Sequence, residues 1–162
     1  MSNDVTFNVI GVPAPQGSKS AFVRGGRAVV VDGSSKTGRD KHAQWRADVT
    51  MAARMARVET LPGPVEVTID FYFALPKTDP YRTRHATTPD CDKAARSVLD
   101  SLTNAALIRD DAEVCTLVSR KWYAHGDQFV GATIRVVSVA QMEADDRSTL
   151  KQNAKEARKN RA

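Results

Sequence analysis

Four aspartates in the middle of the chain are spaced for shared chemistry: Asp90 and Asp92, then the adjacent pair Asp110-Asp111 about twenty residues later. In an extended segment, side chains at i and i+2 point the same way, so Asp90 and Asp92 can share one ligand. Three or four carboxylates within a few ångströms repel, and one takes up a proton unless a cation lies among them. An all-oxygen set favours Mg²⁺ or Mn²⁺ over zinc. Such sites activate water and neutralise charge on a phosphodiester, often with two ions about 3.5–4 Å apart. A plainer role competes with this one. Asp90 after Pro89 is an ordinary helix N-cap, Asp92 a favourable first-turn acid, and Asp110-Asp111 a loop opening a strand.

Whether these acids meet depends on the element between them. Asp90 to Ala106 reads as a helix, with Val98, Leu102 and Ala106 at four-residue spacing. At 1.5 Å per residue it is about 24 Å long. Asp90 and Asp92 stand at its start and Asp110-Asp111 beyond its end. Asp111 therefore meets Asp90 only if the helix is short or begins later.

The other elements follow from patterning. Val5, Phe7 and Val9 alternate with Thr6 and Asn8, a strand ending at Gly11 and Pro13. A turn-rich loop from Pro13 to Ser20 precedes a hairpin, Ala21–Arg24 and Ala28–Val31, joined through Gly25-Gly26. Asp40 to Arg57, rich in Ala, Met and Arg, reads as a helix. Val65, Val67, Ile69, Phe71 and Phe73 form the cleanest period-2 strand. Leu75 to Pro89 holds three Pro and four Thr, the composition of a functional or mobile loop. Val114–Ala124 and Phe129–Val139 read as paired strands turning at His125-Gly126-Asp127. From Gln141 the chain is helical in composition. The expected organisation is one domain over 1–140 and a basic helical tail over 141–162.

Length and composition exclude several classes. The 162 residues suit a single domain, and 41% apolar with 27% charged residues is a soluble globular profile. No run of about 18 apolar residues exists to span a membrane. Met1-Ser2-Asn3-Asp4 lacks signal-peptide character. Two cysteines are too few for a disulfide scaffold or a thiolate zinc site. The expected location is the reducing cytoplasm. Charge is segregated: residues 1–57 carry +5, residues 58–146 carry −5 and the last sixteen carry +5. Basic ends around an acidic middle suit a polyanion partner, although solvated charged faces produce the same tally.

The stretch Thr88-Pro89-Asp90-Cys91-Asp92-Lys93-Ala94-Ala95-Arg96, then Leu99-Asp100-Ser101-Leu102, then Asp110-Asp111-Ala112-Glu113-Val114 and Lys121, resembles the RusA family of Holliday junction resolvases. Gly11-Val12-Pro13-Ala14-Pro15-Gln16-Gly17-Ser18-Lys19 is similar to that family's N-terminal segment. The resemblance spans roughly residues 5 to 139 in order and spacing. It implies a single α+β domain, a mixed β-sheet with helices packed on it, assembled as a homodimer. It also implies a Mg²⁺-dependent endonuclease that binds four-way DNA junctions and nicks two strands symmetrically. Asp90, Asp92 and Asp111 would be the metal-binding, catalytic carboxylates, with Asp110 beside them. Two departures from the family stand out: Lys93-Ala94 replaces Asn-Leu, and Arg96 stands at the catalytic lysine. Arginine keeps the charge but cannot release a proton, which suits clamping a phosphate. Lys93, on nearly the same helix face, is the other catalytic candidate.

Expected DNA contacts are Lys19, Arg24 and Arg27 in the N-terminal loop and hairpin, Lys77, Arg82 and Arg84 in the long loop, and Lys121 on the following strand. As a group they should make affinity fall steeply with salt. His42, His85 and His125 show no metal-ligand spacing, Cys91 and Cys115 read as packing residues, and Trp45 and Trp122 as core or dimer-interface residues. Three rivals remain open: a broader nuclease for branched DNA, a junction-binding protein whose catalysis has decayed, and a non-nuclease with a structural ion.

Overall fold

The computed structural model describes residues 3–17, 19–24, 27–32, 35–56 and 59–159. Their elements run β1 (Asp4–Ile10), β2 (Lys19–Arg24), β3 (Arg27–Asp32), α1 (Lys36–Ala56), β4 (Val65–Phe73), α2 (Cys91–Asn104), β5 (Val114–Tyr123), β6 (Gly131–Ser138) and α3 (Ala140–Lys159). A 3-10 turn, Asp111–Glu113, leads into β5. The described residues form a single α+β domain with a mixed four-stranded sheet and three helices.

The strictest alternation in the chain becomes the centre of that sheet. Along β4, Val65, Val67, Ile69, Phe71 and Phe73 are buried, while Glu66, Thr68, Asp70 and Tyr72 alternate with them. The strand order is β1-β6-β4-β5; β4 is antiparallel to β6 and parallel to β5. This corrects the expected hairpin at His125-Gly126-Asp127. β5 and β6 do not pair, because each takes one edge of β4. The connection over residues 124–130 carries the chain past the end of β4. Parallel neighbours need a crossover, and the long loop with α2 supplies it between β4 and β5. The β2–β3 hairpin pairs Arg24 with Arg27, and its Gly25-Gly26 turn lies outside the described residues.

Helices α1 and α2 share one core with the buried face of the sheet. Trp45, Val49 and Ala53 of α1 and Ala94, Ala95, Val98 and Leu102 of α2 join Ile134, Val136, Phe7 and Val9. α1 begins earlier than its Ala-rich segment suggests, because Ser35 Oγ accepts from the Gly38 amide at 3.1 Å and caps the first turn. Gly131 is obligatory where β6 meets β1. Its φ is +155°, and a Cβ there would lie 1.9 Å from the Val9 carbonyl oxygen.

α2 ends in a Schellman closure. The Leu107 amide donates to Leu102 O and the Ala106 amide to Thr103 O, with Ala106 at φ 57°. This stop limits the helix to 14 residues, about 21 Å at 1.5 Å per residue. The 14 residues still leave its two ends far apart. Beyond β6, α3 carries exposed side chains over residues 141–156. Among the described residues, no helix is long and apolar enough to cross a membrane.

Candidate active site

Asp90 occupies the N-cap position of α2, but its side chain makes no capping hydrogen bond. Its Oδ2 instead meets Lys93 Nζ at 2.9 Å. Hydrogen bonding and charge from Lys93, with a further contribution from Lys121, hold the Asp90 carboxyl below the usual carboxylate range. Asp90 in turn raises Lys93 above its ordinary value, and Asp92 adds to that effect. Asp92 is exposed in the first turn, where the helix dipole favours an acid.

The loop that delivers Asp90 is tied down along its second half. Tyr123 N donates to Thr83 O, and His85 N donates to Lys121 O, so residues 83–85 extend the sheet along the free edge of β5. Lys121 Nζ then donates to Thr87 O and to Pro89 O, each at 2.7 Å. His85 is buried under this turn, stacked on Phe73 at 3.9 Å and beside Tyr123 at 5.0 Å. Burial, then the charge of Lys121, push its pKa below the ordinary value. Cys91 Sγ lies 3.1 Å from Ser119 Oγ, fastening the start of α2 to β5. The composition of Leu75–Pro89 suggested a functional or mobile loop; residues 83–89 are pinned to strand β5, so that half is not mobile. The Gln16 amide donates to Lys93 O, bringing the N-terminal Gly/Pro segment against the same helix turn.

Asp111 lies elsewhere. It lines a hollow of about 160 Å³ with Arg46, Asp100, Thr103 and Asn104, at the C-terminal end of α2. α2 starts at Cys91, so neither condition for Asp111 to meet Asp90 within one chain is fulfilled. Among the described residues, no three Asp, Glu, His or Cys side chains of the chain are grouped to hold a metal ion. Asp110 serves its own turn of backbone, where its Oδ1 accepts from the Ala112 amide at 2.8 Å and caps the 3-10 segment.

The basic candidates sort by environment. Arg96 and Arg27 are exposed. The side chains of Lys19 and Arg24 lie outside the described residues. Arg82 approaches Asp79 at 3.7 Å, and its carbonyl accepts from His125 Nε2 at 2.6 Å. Arg84 places its guanidinium 3.5 Å from the centroid of the Trp122 ring. Lys121, expected at the DNA, has its ammonium turned to the loop carbonyls. Sequence reasoning missed His85, His125 and the Arg84–Trp122 stack, because strand β5 and a distant loop supply their partners. Only the dense basic and aromatic content of residues 81–85 hinted at them.

A carboxylate pair at a helix start stands beside a strand-anchored basic loop on an α+β scaffold with a mixed sheet. The family model of endodeoxyribonuclease RusA matches residues 16–137, three-quarters of the chain. The chain belongs to the RusA endodeoxyribonuclease family, whose members are Holliday junction endonucleases. The match begins at Gln16 and contains α2, the basic loop and both aspartate pairs. No curated protein matches the chain.

Proposed function

We propose that this chain is a Mg²⁺-dependent endonuclease that resolves four-way DNA junctions by paired symmetric nicks, acting as a homodimer. The observation carrying this reading is the placement of the acids: Asp90 and Asp92 at one end of α2, Asp111 exposed at the other. Asp90 makes no capping bond to the backbone of α2 and pairs with the Lys93 side chain, and Asp92 is exposed, so both offer hard oxygen ligands that fit Mg²⁺. The ion, when bound, supplies Lewis acidity at the phosphodiester and an activated water. Lys93, 2.9 Å from Asp90, favours the ionised carboxylate that a cation would bind. Arg96, one turn beyond Asp92, offers a planar fork to the scissile phosphate and stabilises charge there without proton transfer.

A second copy completes the carboxylate set. Two α2 helices crossing antiparallel about a twofold axis bring Asp111 of one copy to the Asp90 end of the other. Asp92, Arg96, Leu99 and Thr103, at four- and three-residue steps on the accessible side of α2, form the stripe for such a crossing. Each dimer then carries two equivalent composite sites, matching two symmetric nicks in a junction. Arg82, Arg84 and Arg27 are exposed and are the candidates for contact with backbone phosphates.

The test is cleavage of a labelled four-way junction beside a matched duplex and a fork, in Mg²⁺, in EDTA and with Asp92→Asn. Paired junction nicks that need both metal and Asp92 support the reading. Cutting of the fork as readily as the junction replaces it with a broader branched-DNA nuclease. Tight junction binding without cutting in Mg²⁺ or Mn²⁺ leaves a binding protein.

A further inference from the structure

We propose that the hollow where β4, β5 and the 124–130 connection meet is a subsite for one unstacked nucleobase of the DNA; this rests on the nuclease reading above. The hollow measures about 520 Å³ and is lined by Tyr72, Thr83, Trp122, Tyr123, His125 and Gln128. That volume falls within the roughly 300–1,000 Å³ of small-ligand sites.

Tyr72 and Trp122 are register partners on β4 and β5, so two aromatic rings stand side by side on the sheet face away from α1 and α2. Neither belongs to the hydrophobic core. Trp122 is oriented by its own hydrogen bond, Nε1 donating to Asp70 Oδ1 at 2.9 Å, and Tyr72 packs edge-on against Phe129 at 5.7 Å. Two oriented aromatic rings beside open space form a stacking platform. Polar groups for a base edge stand around it. Gln128 Oε1 accepts from His125 N at 2.9 Å, which leaves the Gln128 amide NH₂ as a donor, and Thr83 adds a hydroxyl. The Arg84 guanidinium against Trp122 puts a fixed cation where the phosphate of a bound nucleotide would lie.

The subsite and the acids are parts of one mechanical unit. Arg82 is held by His125, Thr83 by Tyr123, Arg84 by Trp122, and Pro89 by Lys121, all within a few residues of Asp90. A DNA strand lying along this loop passes both. Extruding a base costs least where stacking is already broken, as at the crossover of a junction. A base held here fixes which phosphate reaches Asp90 and Asp92, so the hollow sets nucleotide preference at the cut.

The test is an abasic scan. Each nucleotide near the crossover is replaced in turn by an abasic residue, and binding of each junction is followed by anisotropy in EDTA for wild type, Trp122→Ala and Trp122→Phe. The expected result is one position where base removal weakens wild-type binding roughly ten-fold. Trp122→Ala should bind the intact junction about as weakly and be indifferent to that position, whereas Trp122→Phe should restore the dependence. A flat scan with tight junction binding overturns the subsite and leaves the nuclease reading standing. An equal penalty in wild type and Trp122→Ala assigns the base to another site and also overturns it. Absence of any binding to branched DNA overturns both readings. Should Trp122→Ala fail to fold, Tyr72→Leu is held to the same expectations.

Discussion

The Lys121 ammonium stands 2.7 Å from the carbonyl oxygen of Pro89, the residue immediately before Asp90. The same ammonium binds Thr87 O at 2.7 Å, so one side chain on β5 orients the entry to the carboxylate pair. Lys121→Met should lower nicking on the order of 10²-fold through misplacement of Asp90 and Asp92, with junction Kd nearly unchanged. Lys121→Arg should recover part of the rate. A direct phosphate contact predicts the reverse: weaker binding and a salt slope reduced by about one, with the cutting rate of bound junction preserved.

The α2 helix separates Asp92 from Asp111, which makes subunit complementation decisive. Asp92→Asn and Asp111→Asn homodimers should each be inactive. Mixed and allowed to exchange, they should form heterodimers with one intact composite site and one doubly altered site. Single nicks should then return, at about a quarter of the wild-type density of working sites for random pairing. If each site lies within one chain, every site in the mixture carries one substitution and no activity returns.

Ala106 ends α2 in the left-handed region, φ 57°, where a Cβ costs about 1–2 kcal/mol. Ala106→Gly should raise stability by about 1 kcal/mol, a Tm gain of roughly 2–4 °C for a domain of this size. Thermal unfolding measures it, and a fall in Tm would contradict the Schellman closure of α2. Gly131→Ala should act in the opposite direction, because its Cβ would meet the Val9 carbonyl.

His85 is buried against Phe73 and Tyr123 with a pKa below the ordinary 6.5, through burial first and the Lys121 charge second. The unfolded chain binds a proton there near 6.5, while the folded chain resists until a lower pH. Stability is therefore complete above about 6.5 and falls as pH drops below it. Tm measured from about pH 7.5 to pH 5 should decline more steeply in wild type than in His85→Phe. Parallel curves would show that His85 is not the titrating group.

The candidate site was partly legible as a string of residues. Asp90, Asp92 and Asp111 stood out because their order and spacing resemble one family's motif, whose model matches residues 16–137; the spacing alone fits ordinary capping roles equally well. β4 was legible because period-2 burial is a local property of nine residues. The partner of β5 was not, since a strand of mixed burial carries no mark saying which edge it will take. The boundary of α1 was missed for a smaller reason, a Ser35 cap set behind a glycine.

What the amino-acid sequence determined by itself is therefore what depends on near neighbours: the alternation of β4, the amphipathic α2, the aspartates at its start and the basic loop before them. The tertiary structure alone decided which distant groups meet. It placed Lys121 under Pro89, Arg84 on Trp122 and His85 on Phe73, contacts that span dozens of residues or more than one element. It also held Asp111 away from Asp90, because a helix is a rigid spacer whose length is fixed by its stop signal. That rigidity is the physical reason a carboxylate cluster suggested by spacing is not assembled within one chain.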